Sequence, residues 1–282
     1  MAMKQLTGVF GPVVTNFDGR GDVDLDAFGF NARAHLDAGL QGLVVCGSTG
    51  EAALLDESER LRLIEMARSV VPSDRWLIVG TGAESTRACV RRCNEAAARG
   101  ADAVLVVAPH YYGNAMSSAV LEAHYEVVAD ESPVPVLLYN IPKYMHFRLE
   151  PELVATLAGH PNIVGMKDSS GDLATLEKYM ASQSTAFTML TGHGGCFHQA
   201  LGLGVRGGIL AVALFAAELS LEVFRAHAEG RTADGAEAQR RLTPVALEIV
   251  GRMGIGAVKV ALERVGLAGG PVRMPLRDAT AA

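Results

Sequence analysis

The sequence predicts an α/β protein with a (β/α)8 TIM-barrel fold and a C-terminal helical extension. Its 282 residues contain eight short apolar, β-branched runs at near-regular intervals. These runs are continuous rather than alternating, which is typical of parallel strands buried on both faces. Helical patterns separate the runs, and no break in composition divides the chain, which favours a barrel. A doubly wound sheet is the competing fold, but such sheets usually have fewer strands.

The eight runs give the predicted strand positions. The predicted strands are 8–14, 42–48, 76–82, 103–109, 134–142, 162–170, 186–192 and 207–213. The stretches between them carry helix-start signals. Asp56 followed by Glu59 has the spacing of a capping box, Ser85 can cap the next helix, and Pro151 suits a first helical turn.

The last part of the chain carries a different pattern. Residues 231–282 contain two more helical patterns and a Pro-rich tail, with no further strand run. We therefore expect a catalytic barrel over residues 1–230, with residues 231–282 packed on it as a helical extension rather than folded as an independent domain.

Composition and charge exclude several classes of protein. The chain is 49% hydrophobic, which fits a large core, and its net charge of −6 argues against nucleic-acid partners and a basic membrane-binding face. No apolar run reaches the roughly 18 residues that span a bilayer. The N-terminal residues lack the uninterrupted apolar segment of a signal peptide. The four cysteines form no C-x-x-C pair, so we expect reduced thiols in a cytoplasmic protein.

The sequence contains no metal-binding motif, and its one match to a nucleotide-binding motif lies in the wrong context. The eight histidines show no metal-ligand spacing. The string "GLGVRG" (202–207) matches a dinucleotide fingerprint but precedes a predicted strand instead of following one. The sequence therefore predicts chemistry without a metal or bound cofactor.

Polar residues at the ends of the predicted strands are the candidates for a functional site. In a barrel of this type the active site lies at the carboxyl ends of the strands. The candidates on this criterion are Ser48, Thr49, Tyr111, Tyr112, Tyr139, Lys167, Ser169 and His193.

Lys167 is the most informative of these residues, because it is one of only five lysines and ends an apolar strand. A low-dielectric site disfavours the ammonium form of a lysine, and the free amine then forms a Schiff base with a carbonyl. The alternative is a structural ion pair or a lysine that reaches solvent at the barrel end.

The other strand ends supply partners for such a lysine. Tyr139, Ser48 or Thr49, and Tyr111 or Tyr112 would make a proton relay. Exposed amides and hydroxyls in "GSTG" (47–50) suit a substrate carboxylate. Each tyrosine could instead be a packing residue at the barrel rim, and "GSTG" could be an ordinary glycine-rich turn.

Three motifs together resemble the dihydrodipicolinate synthase / N-acetylneuraminate lyase superfamily of pyruvate-dependent class I aldolases. They are "GSTGE" (47–51), "YNIP" (139–142) and "GMKDSSGD" (165–172), in order on the second, fifth and sixth predicted strands. The resemblance implies Lys167 as the Schiff-base lysine, Tyr139 as proton relay, and Ser48 and Thr49 as carboxylate and relay contacts. It also implies that Gly192 and Ile209 line the pocket through their backbones.

The same resemblance implies a homotetramer built from dimers. A tyrosine of the pair Tyr111 and Tyr112 typically reaches the neighbouring subunit's site in such proteins, and we favour Tyr112 for that role. Within the superfamily, further stretches resemble 4-hydroxy-2-oxoglutarate aldolase. These stretches are "AEST" (83–86), "YYGNAMSSA" (111–119), "HPNIVGMKDSSGD" (160–172) and "GGPVRMPL" (269–276).

The chain also departs from its relatives at three positions that bear on the substrate. The synthases carry an arginine shortly after the tyrosine motif, where Tyr144 is the nearest equivalent here. Ser169 offers a hydroxyl, as the aldolases and the sialic-acid lyases do, where the synthases have a small apolar residue. His193 stands in a "TGHGGC" stretch (191–196), which has neither the acidic pair of the sialic-acid lyases nor the usual small residues of the hydroxyoxoglutarate aldolases. It could define a substrate of its own or be a solvated loop residue.

These observations predict a lyase that cleaves a 4-hydroxy-2-keto acid, such as 4-hydroxy-2-oxoglutarate, to pyruvate and an aldehyde such as glyoxylate. The alternatives are a dihydrodipicolinate synthase, a keto-deoxy sugar acid aldolase or dehydratase, and a regulatory barrel that binds a keto acid without turning it over.

Overall fold

The chain folds as a closed eight-stranded barrel, which confirms the predicted fold class. A computed structural model describes residues 4–279. All strands are parallel, and each pairs with its neighbours in sequence. The strands are β1 (Gly8–Pro12), β2 (Gly42–Val45), β3 (Trp76–Gly80), β4 (Ala103–Val107), β5 (Val136–Asn140), β6 (Ile163–Asp168), β7 (Thr188–Thr191) and β8 (Gly207–Ile209).

The barrel closes where β8 pairs with β1, and this seam depends on small residues. Gly8 lies opposite Gly207, and a Cβ atom on Gly207 would stand 2.0 Å from the Gly8 carbonyl oxygen. Only glycine allows the two backbones to come so close. The strands are buried on both faces, as their continuous apolar runs predicted.

All eight predicted strands were too long at their carboxyl ends. The second run was predicted to reach residue 48, but β2 ends at Val45 because Cys46 has a φ of +54° and turns the chain out of the sheet. The residues beyond this point are those that face the mouth of the barrel. The apolar pattern therefore did not separate each strand from the first residues of the loop that follows it.

Helices surround the barrel, and the helix-start signals read from the sequence are confirmed. Asp56 accepts from the Glu59 amide at 2.8 Å while the Glu59 side chain accepts from the Asp56 amide. Ser85 accepts from the Ala88 amide, and Pro151 opens its helix. The helices up to residue 228 are α1 (Leu25–Asp37), α2 (Glu57–Val70), α3 (Thr86–Ala98), α4 (Ser118–Glu131), α5 (Pro142–Met145), α6 (Pro151–Leu157), α7 (Leu173–Tyr179), α8 (Phe197–Gly202) and α9 (Ala217–Ala228).

The C-terminal segment is helical and braces the loops at the barrel mouth. It comprises α10 (Thr232–Val245), a π-helical segment (Ala246–Met253) and α11 (Ile255–Arg264). On α10, Gln239 donates to the Gly194 carbonyl at 2.9 Å, and Thr243 donates to the Gly195 carbonyl at 3.1 Å. These two bonds fix the loop that follows β7. Within residues 4–279, no helix combines the length and apolarity needed to cross a membrane.

Candidate active site

Lys167 and Tyr139 form the centre of the candidate site. They occupy paired positions near the carboxyl ends of β6 and β5, so that their side chains project from the same face of the sheet. The Lys167 Nζ atom lies 3.3 Å from the Tyr139 hydroxyl and 4.3 Å from the centre of its ring. Both side chains are almost fully buried. The lysine side chain is thus held against a phenol ring and its hydroxyl rather than against a carboxylate.

Asp168 and Asn140 hold the ends of these two strands together. The Asn140 amide donates to Asp168 at 2.7 Å, and the Ser170 hydroxyl donates to the other Asp168 oxygen at 2.7 Å. The Asn140 carbonyl side-chain oxygen accepts from the Leu149 amide at 3.0 Å. Burial raises the pKa of Asp168, while these hydrogen bonds oppose the rise. Both Asp168 oxygens are therefore occupied by hydrogen bonds that hold the strand ends in place beside Lys167.

Gly192, just past the end of β7, gives Lys167 and Ser169 their space. A Cβ atom at position 192 would lie 2.6 Å from Lys167 Cε and 1.9 Å from Ser169 Oγ. The Gly192 amide donates to the Asp168 carbonyl at 2.6 Å, which fixes its distance from β6. The structure thus brings three residues predicted from sequence into direct contact, and a glycine is needed where they meet.

His193 lies beside this cluster and pairs with a cysteine. Its ring is packed against Gly171, where a Cβ atom would stand 2.7 Å from His193 Cδ2. Cys196 Sγ lies 3.5 Å from His193 Nδ1. Burial lowers the pKa of His193, against the opposing charge of Asp168, and burial raises the pKa of Cys196 to about 11. A neutral imidazole and a neutral thiol therefore face each other at neutral pH.

Ser48 and Thr49 lie in the turn that follows β2, and both are partly buried. The turn is held from behind: Thr15 donates to the Gly50 carbonyl at 2.7 Å, and the Glu51 amide donates to the Ser48 carbonyl at 3.2 Å. Within residues 4–279, no hydrogen bond joins either hydroxyl to Tyr139. Among the described residues, the Tyr139 hydroxyl is therefore hydrogen-bonded to Lys167 but to neither of the hydroxyls with which it was predicted to form a relay.

The remaining candidates lie around the mouth of the barrel. Tyr111 and Tyr112 stack edge-to-face with 5.0 Å between ring centres, and they are 78% and 70% exposed. Neither is hydrogen-bonded to Lys167 or Tyr139 in the part of the chain that the structure describes. Tyr144, on α5, is 40% exposed, and burial together with the nearby Tyr139 raises its pKa. Ile209 is buried at the end of β8.

Sequence reasoning missed the supporting residues of this site. Asn140 directly follows Tyr139, and Asp168 directly follows Lys167. A polar residue directly after each predicted site residue was a signal that could have identified them. Glu51 and Lys259 were not predicted as partners, although Lys259 is a second lysine in an apolar run. In residues 4–279, no group of three or more histidine, cysteine, aspartate or glutamate side chains is arranged to hold a metal ion.

Comparison with known proteins identifies the family. Residues 5–282 match the dihydrodipicolinate synthetase family. The chain is 38% identical over 272 residues to 4-hydroxy-tetrahydrodipicolinate synthase 1 of Streptomyces coelicolor, covering 95% of this chain and 87% of that protein. Among solved structures, a dihydrodipicolinate synthase from Bacillus anthracis superposes with a TM-score of 0.94 at 29% identity, covering 99% of this chain and 94% of the other.

A second solved structure carries a ligand. The dihydrodipicolinate synthase of Acinetobacter baumannii, complexed with pyruvate, has a TM-score of 0.93 and 27% identity, covering 98% of this chain and 94% of that one. The superfamily predicted from the sequence motifs is thereby confirmed, whereas the narrower resemblance to 4-hydroxy-2-oxoglutarate aldolase is not. The chain is a carbon–carbon lyase of the Schiff-base type and belongs to the dihydrodipicolinate synthetase family.

Proposed function

We propose that the protein condenses pyruvate with an amino-aldehyde, as the name 4-hydroxy-tetrahydrodipicolinate synthase implies for its relatives, through an imine on Lys167. The observation that carries this proposal is the buried contact of 3.3 Å between Lys167 Nζ and the Tyr139 hydroxyl. It is supported by a 38% identical relative of that name. The resemblance to 4-hydroxy-2-oxoglutarate aldolase had placed cleavage of that keto acid first, and the names of the relatives favour the alternative, a synthase.

The chemistry follows from the placement of these groups. The Lys167 amine adds to the C2 carbonyl of pyruvate, and loss of water from the adduct gives an imine. The imine withdraws electrons, so a C3 proton can leave and the resulting enamine carbon can attack an aldehyde. Tyr139 is placed to move protons to and from the nitrogen and the departing oxygen. Hydrolysis of the product imine regenerates the lysine.

The turn of Ser48 and Thr49 is the proposed site for the keto-acid carboxylate. Ser48 and Thr49 are both partly exposed, and they follow β2 at the mouth of the barrel. Two hydroxyls and the adjacent amides can replace the water that a carboxylate loses on binding. Ser169 and Gly192 form the adjoining wall, and His193 is proposed to face the aldehyde half. No metal or cofactor is needed, because the imine itself is the electron sink.

Cleavage of a 4-hydroxy-2-keto acid remains a second candidate, because two residues favour it. Tyr144 stands where the synthases are expected to have an arginine, and a neutral phenol binds a second carboxylate less strongly than a guanidinium does. Ser169 places a hydroxyl beside the lysine, where a substrate 4-hydroxyl would lose its proton. Both reactions pass through the same enamine, so the second carbonyl compound decides between them.

The test has two stages. Incubation with pyruvate and borohydride, followed by intact-mass measurement, should give one adduct in the wild type and none in Lys167→Ala; equal adducts would refute the assignment. Lys167→Arg should also fail, since a guanidinium does not become a nucleophile at neutral pH. Condensation with aspartate semialdehyde and pyruvate release from 4-hydroxy-2-oxoglutarate are then compared under one set of conditions. Faster cleavage would reverse the order of the two proposals.

We also propose that the protein assembles as a homotetramer through the exposed pair Tyr111 and Tyr112. Two large aromatic side chains at 78% and 70% exposure on one turn suit an interface. Sedimentation velocity of the wild type and of Tyr112→Ser tests this. We expect the wild type to sediment as a tetramer and the variant to shift to smaller species. A monomeric wild type would exclude it.

A further inference from the structure

A second buried lysine lies outside the chemistry described so far. Lys259, on α11, is only 1% exposed, and its Nζ atom is 2.7 Å from an oxygen of Glu51, which is 0% exposed. Nζ also donates to the Pro271 carbonyl at 2.6 Å and lies 4.6 Å from the centre of the Phe17 ring. Unlike Lys167, this lysine has a full counter-charge and is not available as a nucleophile.

Its partner Glu51 is the residue that ends the Ser48–Thr49 turn. Glu51 has a φ of +54°, a left-handed conformation that costs energy in a residue other than glycine. Its second oxygen accepts from the Arg273 amide at 2.8 Å. The carboxylate therefore joins the back of the turn to two points of the C-terminal segment, at α11 and at residue 273.

Arg273 extends the same connection to α2. Its guanidinium donates to both oxygens of Glu59 at 2.6 Å, to the Leu54 carbonyl at 2.8 Å and to the Gly21 carbonyl at 2.6 Å. Leu54 lies in the short helical stretch that directly follows Glu51. Residues 51–54, which follow the turn, are thus hydrogen-bonded at both ends to Arg273.

Stability alone is a poor explanation for the Glu51–Lys259 pair. Removing two charges from water costs several kcal/mol per ion, and well-packed apolar residues of similar volume are often equally or more stable. Buried ion pairs are best attested where they fix one geometry among several. Here the pair fixes a backbone conformation that its own residue disfavours, next to the proposed carboxylate site.

We propose that the Glu51–Lys259 ion pair is a positioning device for the keto-acid carboxylate site. It holds the Ser48–Thr49 turn from behind, so that hydroxyls and amides meet the carboxylate without reorganising. Glu51 and Lys259 touch neither substrate nor Lys167, and they act through the turn. This inference rests on the proposed function, since it assumes a 2-keto acid bound beside Lys167.

The test measures pyruvate affinity separately from stability. Borohydride trapping is followed by intact mass as a function of pyruvate concentration in Lys259→Met and Glu51→Gln, with thermal unfolding measured in parallel. We expect the half-saturating pyruvate concentration to rise by ~10-fold or more in each variant, since small misplacements of positioning groups have large effects. Trapping at saturating pyruvate should still modify Lys167.

Lys4 provides a matched control at the opposite end of the barrel. It also pairs with a carboxylate, Asp102, and also donates to a backbone carbonyl, that of Arg75, at 3.0 Å. Lys4→Met removes the same kinds of contact at the amino ends of the strands. It should change thermal stability while leaving the half-saturating pyruvate concentration at its wild-type value.

The double variant Glu51→Gln/Lys259→Met separates positioning from a structural role and carries the test if a single variant does not fold. Removing both charges leaves none unpaired, so thermal stability should recover relative to the single variants. Pyruvate affinity should stay low, because the turn has lost its anchor to α11. Wild-type affinity in the double variant would overturn the proposal while leaving Lys167 chemistry intact. No adduct in the wild type would overturn the proposed function and this inference with it.

Discussion

Replacing Gly192 with alanine perturbs Lys167 without altering any of its own atoms. The added Cβ would lie 2.6 Å from Lys167 Cε and 1.9 Å from Ser169 Oγ. The Ser169 hydroxyl can rotate away, but Lys167 is only 5% exposed and its side chain has little free space to move into. Because non-bonded carbons pack at about 3.5–4.0 Å, the stem must retreat by about 1 Å. Displacement of a reacting group by about 1 Å can cost ~10²-fold in rate.

We expect the imine to form more slowly in Gly192→Ala, but still to form. At saturating pyruvate, the rate of borohydride-trapped adduct formation in Gly192→Ala should fall by ~10²-fold, because Nζ no longer meets the carbonyl at the right angle. Overpacking should also lower the free energy of unfolding by about 1–3 kcal/mol. Gly202→Ala is the matched control, since among the described residues a Cβ there meets no atom within 4 Å beyond its chain neighbours and the backbone of its own helix. Trapping at the wild-type rate in Gly192→Ala would refute the argument.

Three further predictions concern the relay, acid stability and metal independence. Tyr139→Phe should bind pyruvate but lower kcat by ~10²-fold or more, measured by steady-state assay; an unchanged kcat would exclude the relay. Burial lowers the pKa of His35 from 6.5 to about 4, so only the unfolded chain takes up its proton in that range. Stability should therefore fall by about 3 kcal/mol as pH drops from about 6.5 to 4. The free energy of unfolding, measured with urea at each pH, should fall by about 3 kcal/mol less in His35→Leu than in the wild type over this range, and equal falls would contradict the argument. Treatment with EDTA should leave pyruvate trapping unchanged, and lost trapping that Mg²⁺ or Zn²⁺ restores would show that a metal is needed.

The sequence predicted the barrel well because both of its signals are local. Each strand is a continuous apolar run, and capping pairs such as Asp56 and Glu59 lie three residues apart. Strand ends were less predictable, since only the backbone turn at Cys46 tells where β2 stops. Lys167 could be found because its chemistry conflicts with its apolar run. The same argument would have found Lys259, but not its partner.

Contacts that depend on closure of the fold were beyond sequence reasoning. Glu51 and Lys259 lie more than 200 residues apart in the sequence, and no pattern in either segment indicates that the two pair. The space around Gly192 has the same origin, because it is created by β6 and β7 together. The second substrate is a harder case, because Tyr144 and His193, the residues that we propose to face it, follow the pattern of none of the families that the sequence resembles.

The distance along the chain between Glu51 and Arg273 has a consequence for how the site is assembled during synthesis. Lys167, Tyr139 and the Ser48–Thr49 turn all leave the ribosome before α11 does. A nascent chain that has emerged only to residue 250 thus holds every group proposed for the chemistry, yet the turn lacks both of its rear anchors. The proposed keto-acid site therefore becomes complete only after residue 273 has emerged, and a product that stops before α11 but still closes its barrel should bind pyruvate less tightly.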